Sequence, residues 1–505
     1  MLNSIAQFGV TDVSAFIPES IAAYRRPVAE AIEFFLTELS PDRVGRILDD
    51  QATLSDSAEP AARIVHLARH CPTLQKIGQV LARDRRLPAD FRSRLQTLES
   101  APVDASFTGT RGLVERELSC LTDLNVVVED KPLAEASVAV VIPFEWRPRG
   151  QQVVRQGVFK VLKPNIIQHL EEELEILQNV GAFLNERCQE YGIPQLDYEC
   201  VCREISELLR QETNLTIEQQ NLFAAHEAFR DTPNVVIPEL FPFCTPRVTA
   251  MQRIDGQRIT ETDDLSHRDR RFLAKTLART LIADPVWSAY AATVFHADPH
   301  AGNLLRTDDN KLAILDWALV GTLTQQQQTC LAQIALNAIL FDVHGVSEVI
   351  AQLNCGSSNR LAIQTVVRNA LRKLRQGSWP GAHWVTELLN EAVLHANVTL
   401  DPNLLLFRKS LHTLDGVIAD TCPGYSADRL LMLEFLRRFG GEWRTRVVSS
   451  PFSRNLETRI SNVDLFRLAL SGPRSIYRYW SQVASDVRSM VRDRVTNGSK
   501  LNAVR

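Results

Sequence analysis

A chain of 505 residues with 45% hydrophobic residues can bury real cores and hold about three domains, which excludes a disordered or low-complexity protein. The formal net charge of −4 hides an asymmetry: ten Lys/Arg face four acids between 451 and 505, so a basic tail follows an acidic body. Nine cysteines, an odd number at scattered spacings, argue for a reducing compartment and against a thiolate metal cluster, and Cys200-Val201-Cys202 has no second pair to complete a zinc site.

Met1 to Ile17 has no basic segment ahead of an apolar core, so neither signal nor transit peptide is expected, and no run of 18 uncharged apolar residues suggests a transmembrane helix. These features predict a cytoplasmic protein. Residues 1–65 read as a helical extension: apolar positions recur at three and four from Pro27 to Leu36, and Ser40-Pro41-Asp42 has the form of an N-cap with proline in the first turn. A second helical extension, 66–125, carries Lys76-Ile77-Gly78-Gln79. Glycine costs about 1 kcal/mol inside a helix, so Gly78 implies close approach by something else, and taken alone such a glycine usually marks a packing contact.

From 126 the pattern turns to strands: Asn125 to Val128, Ala139 to Phe144 and Gly157 to Leu162. Lys160 lies inside an apolar strand and needs a carboxylate or phosphate to meet its charge, whereas Lys163, just before Pro164, is expected to point to solvent. The next helix has Leu170, Leu174, Leu177, Gly181 and Leu184 along one face, with Glu171, Glu172 and Glu173 read as outside. A further helix, from about Cys202 through Phe223, carries Glu218. Its spacing fits a solvated face equally well, but an ion pair with Lys160 is the expectation once the later motifs are counted. Strands around Val235 and from Val248 then end in a glycine turn at Asp255-Gly256. Met251 and Ile254 would lie there at a hinge whose backbone groups bind adenine.

The chemistry is concentrated in His296-Ala297-Asp298-Pro299-His300-Ala301-Gly302-Asn303 and, after the apolar run Leu312 to Leu315, in Asp316-Trp317-Ala318. Phosphoryl transfer asks a protein for oxygen ligands to magnesium, positive charge near phosphates and a carboxylate close to the attacking hydroxyl. Asp298 is the candidate base, Asn303 and Asp316 the candidate magnesium ligands, and the stretch reads as a site for ATP and Mg2+. No G-x-G-x-x-G precedes Lys160 and no Ala-Pro-Glu follows Asp316; instead Thr324-x-x-Gln327 opens a capped helix, which leaves little room for a peptide-docking segment.

With these residues in view, about 66–425 resembles the UbiB/AarF family of atypical protein-kinase-like proteins. The resemblance is carried by Lys76 to Gln79, Ala134-Glu135-Ala136-Ser137, Lys160, Glu212-Thr213-Asn214 with Glu218 and Asn221, Met251 to Gly256, His296 to Asn303, Asp316 to Gly321, and Lys409 to Gly416. It implies an α+β, bilobal protein-kinase-like fold, with a small β-rich N-lobe (126–260), a helical C-lobe (261–450), the added helical extension, and a basic helical tail (451–505). It implies that Ala134, Ala136 and Ser137 replace a glycine-rich phosphate loop, and that Lys76, Gly78, Gln79, Glu212 and Asn214 form a regulatory set. The implied function is that of a Mg2+-dependent ATP-binding kinase or ATPase supporting isoprenoid-quinone or related lipid metabolism. Two other readings stand beside it: a pseudokinase that switches a protein partner, and a small-molecule phosphotransferase.

The sequence departs from the family at Glu135, which puts a negative charge in the alanine-rich loop, and at Asn214, which replaces a carboxylate. It departs again at Ala318, where glycine is usual and a residue with a Cβ restricts the local backbone, and in lacking C-terminal membrane helices. In the tail, Ile476, Trp480, Val483, Val487 and Val491 fall at helical spacing among arginines. This suits either an interfacial helix on anionic lipid or, the preferred reading, a helix packed on the large lobe. The tail has no base-reading module, so nucleic acid is not an expected partner.

Overall fold

In a computed structural model of the chain, the described residues are 17, 19–55, 63, 66–68, 70–83, 92, 107–119, 125–135, 138–193, 197–288, 290–356, 359–375 and 380–470. Ala136, Ser137 and the tail helix expected around 476–494 lie outside them, as does the side chain of Gln79. The content is mixed and mostly helical, in line with the α+β expectation. Two compact units divide the chain, Met1–Ala224 with Pro238–Arg253, and Ala225–Ile237 with Ile254–Arg505.

The first unit contains an antiparallel sheet of strands β1 (Val126–Val128), β2 (Ala134–Glu135), β3 (Ala139–Trp146), β4 (Arg155–Leu162) and, after one strand that belongs to the second unit (β5, Val235–Val236), β6 (Val248–Gln252). The order is β1-β3-β4-β6, with β2 on β3. Alternation sorts its side chains onto two faces. Phe144, Phe159, Val161 and Ala250 join Phe241 and Phe243 in an aromatic core, with the Phe144 and Phe159 rings stacked at 4.0 Å. Gly157 makes that stack possible, since a Cβ there would lie 2.3 Å from Phe144 Cζ. The opposite face carries Lys160.

Helices α1 (Arg25–Glu38), α2 (Pro41–Ala52), α3 (Pro72–Arg83), α4 (Phe107–Ser119), α5 (Ile166–Tyr191), α6 (Tyr198–Glu212) and α7 (Leu215–Phe229) complete this part of the chain; α7 runs on into the second unit. Phe35, Leu36, Ile47 and Cys71 pack with Ile176 and Val180 of α5. Two expectations are corrected in this region. Glu173 is not outside: it is fully buried, paired with the buried Arg43 of α2, and accepts the Thr73 N–H at 2.8 Å, which anchors the start of α3. Burial pushes its carboxyl above the ordinary range, while Arg43 and Thr73 oppose the shift. The single helix expected from Cys202 to Phe223 is two, broken at Thr213-Asn214. The Asn214 carboxamide oxygen accepts the Ile217 N–H at 3.2 Å and caps α7.

Ser40 does stand at the N-cap of α2, but its hydroxyl makes no cap; its backbone N–H donates instead to Glu172 Oε1 at 2.7 Å.

The second unit holds a sheet in the order β5-β10-β9-β7, from β7 (Gln257–Arg258), β9 (Leu304–Arg306) and β10 (Leu312–Ile314) with β5, and a two-stranded ribbon of β8 (Ala292–His296) and β11 (Val320–Thr324). Its helices are α8 (His267–Ala278), α9 (Gln325–Ile339), α10 (Val343–Leu353), α11 (Arg360–Arg375), α12 (Ala382–Ala396), α13 (Pro402–Thr421), α14 (Ala427–Gly441) and α15 (Trp443–Val448). The capping box expected at Thr324 and Gln327 is present at the start of α9. The first part of the basic tail is docked: Arg454, paired within the tail with Asp464, donates to Gln333 of α9 at 3.2 Å, and Arg459 donates to the Ser288 carbonyl at 2.5 Å and to Gln328 at 2.9 Å. No described helix is long and apolar enough to cross a membrane.

Candidate functional site

In the first unit, the register of the sheet fixes which side chains surround Lys160. Ala134 stands opposite Val141, Val141 opposite Lys160, and Lys160 opposite Thr249, while Val158 stands opposite Met251. Directly paired residues share a face. Ala134, Lys160, Thr249 and Met251, three of them predicted site residues, therefore lie on one face of the sheet. Lys160 Nζ donates to Glu218 Oε1 at 2.6 Å, with both side chains largely buried, which is the partner that its place in an apolar strand demanded.

Glu218 is aimed by its neighbour Gln219, which sequence reasoning passed over. The Gln219 carboxamide donates to the Thr245 carbonyl at 2.9 Å, to the Thr249 hydroxyl at 3.0 Å and to the Val248 carbonyl at 3.3 Å. Thr249 is the cross-strand partner of Lys160, so one glutamine ties α7 to the strand beside the lysine. Its signal in the sequence was thin: a polar residue beside Glu218 and a threonine alternating with buried residues in β6.

Glu135 stands opposite Val140, on the face away from Lys160, and pairs with Lys163 at 2.7 Å. Lys163 is thus not the solvent-facing residue expected of it; its side chain is 16% exposed because Glu135 meets it, and the negative charge in the alanine-rich loop is neutralised away from Lys160. Lys76 of α3 and Glu212 at the end of α6 form an ion pair, both side chains half-buried, and Gly78 is buried on α3. Asn214 lies two residues on as the cap of α7, so four members of the predicted regulatory set occupy the α3–α6–α7 region of one unit. Between Arg253 and Ile254 the chain passes from the first unit to the second, so the predicted hinge residues Met251 and Ile254 fall on either side of that passage.

In the second unit, β8 delivers His296, and the chain turns through Asp298 into a single 3-10 turn ending at Asn303. His296 is buried between two fixed partners. Its Nδ1 accepts the Asp298 N–H at 3.2 Å, and its Nε2 lies 3.0 Å from the Leu315 carbonyl. A nitrogen that accepts and a nitrogen that donates define the neutral Nε2–H tautomer. The Asn303 carboxamide NH2 donates to the Asp298 carbonyl at 3.1 Å, which turns its oxygen the other way. The Leu315 N–H donates to the Asn303 carbonyl at 2.8 Å across the β9–β10 hairpin, so Asp316 follows directly beside Asn303.

Asp316 itself takes the left-handed conformation, with φ 53°, and its Oδ1 accepts the Ala318 N–H at 3.2 Å. The positive φ falls on the aspartate, a residue that tolerates it, and Ala318 does not need glycine's freedom. Trp317 is buried, edge-on to the His296 ring at 4.9 Å, with its indole N–H donating to the Ile314 carbonyl at 3.2 Å. An exposed carboxylate and an amide oxygen in adjacent turns are donors of the chemical kind that Mg2+ takes alongside phosphate oxygens and water. Among the described residues no cluster of three His, Cys, Asp or Glu is arranged to hold a metal without such help.

Asp298, about a fifth exposed, has His300 Nε2 at 3.8 Å and Lys409 Nζ of α13 at 3.7 Å. Ser410 Oγ donates to the His296 carbonyl at 2.9 Å. The sequence assigned no role to Lys409 or Ser410, although their stretch was among the carriers of the family resemblance.

Compared with known proteins, residues 112–350 match the ABC1 atypical kinase-like domain. The chain is 28% identical over 285 residues to the Arabidopsis thaliana protein named ACTIVITY OF BC1 COMPLEX KINASE 1, chloroplastic, covering 55% of this chain and 39% of that protein. It is 26% identical over 360 residues to a protein of Histophilus somni (strain 129Pt) named Probable protein kinase UbiB, covering 68% of this chain and 65% of that one. The chain thus spans less than two thirds of either relative. Among solved structures, the Mycobacterium tuberculosis protein in the Rv3197–erythromycin complex aligns with 76% of this chain and 95% of its own, at 17% identity and a TM-score of 0.47.

Proposed function

For a chain that belongs to the UbiB/ABC1 family of atypical kinase-like proteins, we propose Mg2+-dependent binding of ATP and transfer of its terminal phosphate to water or a hydroxyl acceptor, in support of isoprenoid-quinone or related lipid metabolism. In this reading the two units act as the small and large lobes of a protein-kinase-like fold. The observation that carries it is the hydrogen-bonded loop in which Asn303 is tied to Asp298 on one side and to Leu315, next to Asp316, on the other.

The residues divide the work by their chemistry. Lys160, aimed by Glu218, serves the phosphates, with Ala134 and Met251 on the same sheet face as nucleotide contacts and the backbone around Ile254 for adenine. Ala136 and Ser137 belong to the same loop as Ala134 in this assignment. Asn303 and Asp316 supply oxygen ligands to Mg2+, which when bound screens the charge of the phosphates. Asp298 accepts the proton of the attacking oxygen. The Nδ1 of neutral His296 holds the Asp298 backbone N–H and fixes where that carboxylate starts. Lys76 and Glu212 form a contact within the first unit that would tune nucleotide affinity.

The test is Asp298→Asn in the purified chain. Turnover of Mg-ATP should fall by about 10²–10⁴, the usual loss for a missing acid or base, with nucleotide binding retained. Loss of binding in the same variant would show that Asp298 is not the proton acceptor.

A further inference from the structure

We propose that Lys409 is a catalytic residue: its ammonium contacts the phosphoryl group in transit while staying beside Asp298. The proposal rests on the reading of Asp298 given above. Phosphoryl transfer spreads negative charge over three equatorial oxygens, and a protein lowers the barrier chiefly by placing positive charge against them. The loop Asp298-Pro299-His300-Ala301-Gly302-Asn303 contains no lysine or arginine, so a permanent cation has to arrive from elsewhere in the fold. Lys409 does so, with Nζ 3.7 Å from Asp298 Oδ1.

Stability does not account for the contact. The lysine side chain is 45% exposed, and an ion pair in that setting contributes at most about 1 kcal/mol. The backbone that carries it, by contrast, is fixed at several points. The Phe407 ring meets Phe295 of β8 edge-on at 5.0 Å, the Ser410 hydroxyl bonds the His296 carbonyl at 2.9 Å, and Asn403 Oδ1 accepts the Thr322 N–H of β11 at 3.0 Å. Helix α13 is therefore fastened to both strands of the ribbon that delivers the loop. A four-carbon stem on a fixed backbone gives a point charge that can follow the moving phosphoryl group over a short path.

In the step itself, the acceptor oxygen bonds to the γ-phosphorus as the bond from that phosphorus to the β–γ bridging oxygen breaks. The electron pair leaves on ADP, and the acceptor's proton goes to the Asp298 carboxylate. Lys409 remains protonated and neutralises the equatorial oxygens; nothing is oxidised or reduced.

The experiment compares wild type, Lys409→Met, Lys409→Arg and Asp298→Asn in the full chain, measuring kcat and KM for Mg-ATP hydrolysis, equilibrium Mg-ATP binding and thermal unfolding. Lys409→Met should lower kcat about 10²-fold, the loss seen when one transition-state charge partner is removed, with binding and melting close to wild type. Lys409→Arg, which keeps the charge, should recover most of that loss. Wild-type kcat in Lys409→Met beside an inactive Asp298→Asn overturns the proposal and leaves the Asp298 reading standing. Equal impairment of the Met and Arg variants overturns it too, since a merely structural lysine would behave that way. Turnover that Asp298→Asn leaves intact removes the base assignment, and this proposal falls with it.

Discussion

Lys160 and Asp298 are the two charged groups on which the proposed chemistry depends, and the molecule holds them by opposite means. Lys160 has been taken out of water, with 11% of its side chain exposed, and answers to a carboxylate that is 2% exposed, so its position and the stability of its surroundings are the same contact. Asp298 is about a fifth exposed, with Lys409 Nζ at 3.7 Å and His300 Nε2 at 3.8 Å; what is fixed there is the backbone, by His296, Asn303 and Leu315. In the first unit a change of function must cost folding free energy. In the second the hydrogen bonds of the loop run through the Asp298 backbone, so its carboxylate should be removable with little loss of stability.

The contrast can be broken most forcefully at Glu218. Glu218→Ala leaves the Lys160 ammonium buried without its carboxylate and should cost about 3–5 kcal/mol in urea unfolding; a loss under 1 kcal/mol would mean that Lys160 is not held as described. Gln219→Leu removes one donor from two carbonyls and a hydroxyl and should cost about 1–3 kcal/mol, together with weaker Mg-ATP binding as the Lys160–Glu218 pair loses its anchor. Ser410→Ala deletes a single hydrogen bond to the loop and should cost about 0.5–1.5 kcal/mol. Asp298→Asn should sit at the other end of the scale, within about 0.5 kcal/mol of wild type, despite the loss of turnover expected of it.

The docked part of the tail adds a pH axis. Burial pushes the Asp464 carboxyl up, but hydrogen bonds from Arg454 and Ser461 outweigh it and hold the group at about 2. A carboxyl lowered on folding contributes stability that is present above its unfolded value and is lost as pH falls towards the folded one. Acid unfolding of Asp464→Asn should therefore lack the part of the wild-type loss that falls between about pH 4 and 2. An unchanged acid limb would mean that the group is not paired in solution.

How much of this the sequence made legible follows from how far apart the partners lie along the chain. The loop from His296 to Asp316 is local: an asparagine and an aspartate at the two ends of a short hairpin are adjacent whatever else the fold does, and the structure places them so. The Lys160–Glu218 pair was legible for another reason: a lysine in an apolar strand demands an opposite charge, and the kinase-type pairing of a strand lysine with a helix glutamate singles out Glu218. Glu173 misled because helical periodicity marks only the stripe that one partner covers. Helix α2 brings Arg43 to a second side of α5, and nothing in the spacing around Glu173 announces that. Lys163 misled because the end of a strand is usually wet, while Glu135 arrived from a neighbouring strand. The break at Thr213-Asn214 was written in a good N-cap residue, but the apolar positions on either side stayed in phase and concealed it.

In the proposed reaction Asn303 and Asp316 present oxygen ligands to a nucleotide-bound magnesium ion. The most direct test is equilibrium binding of ATP to the purified chain, with and without Mg2+, for wild type and Asp316→Asn. Wild-type binding should tighten when Mg2+ is added, and that dependence should disappear in Asp316→Asn. Binding that ignores Mg2+ in the wild type, or that keeps its Mg2+ dependence in the variant, would contradict this role.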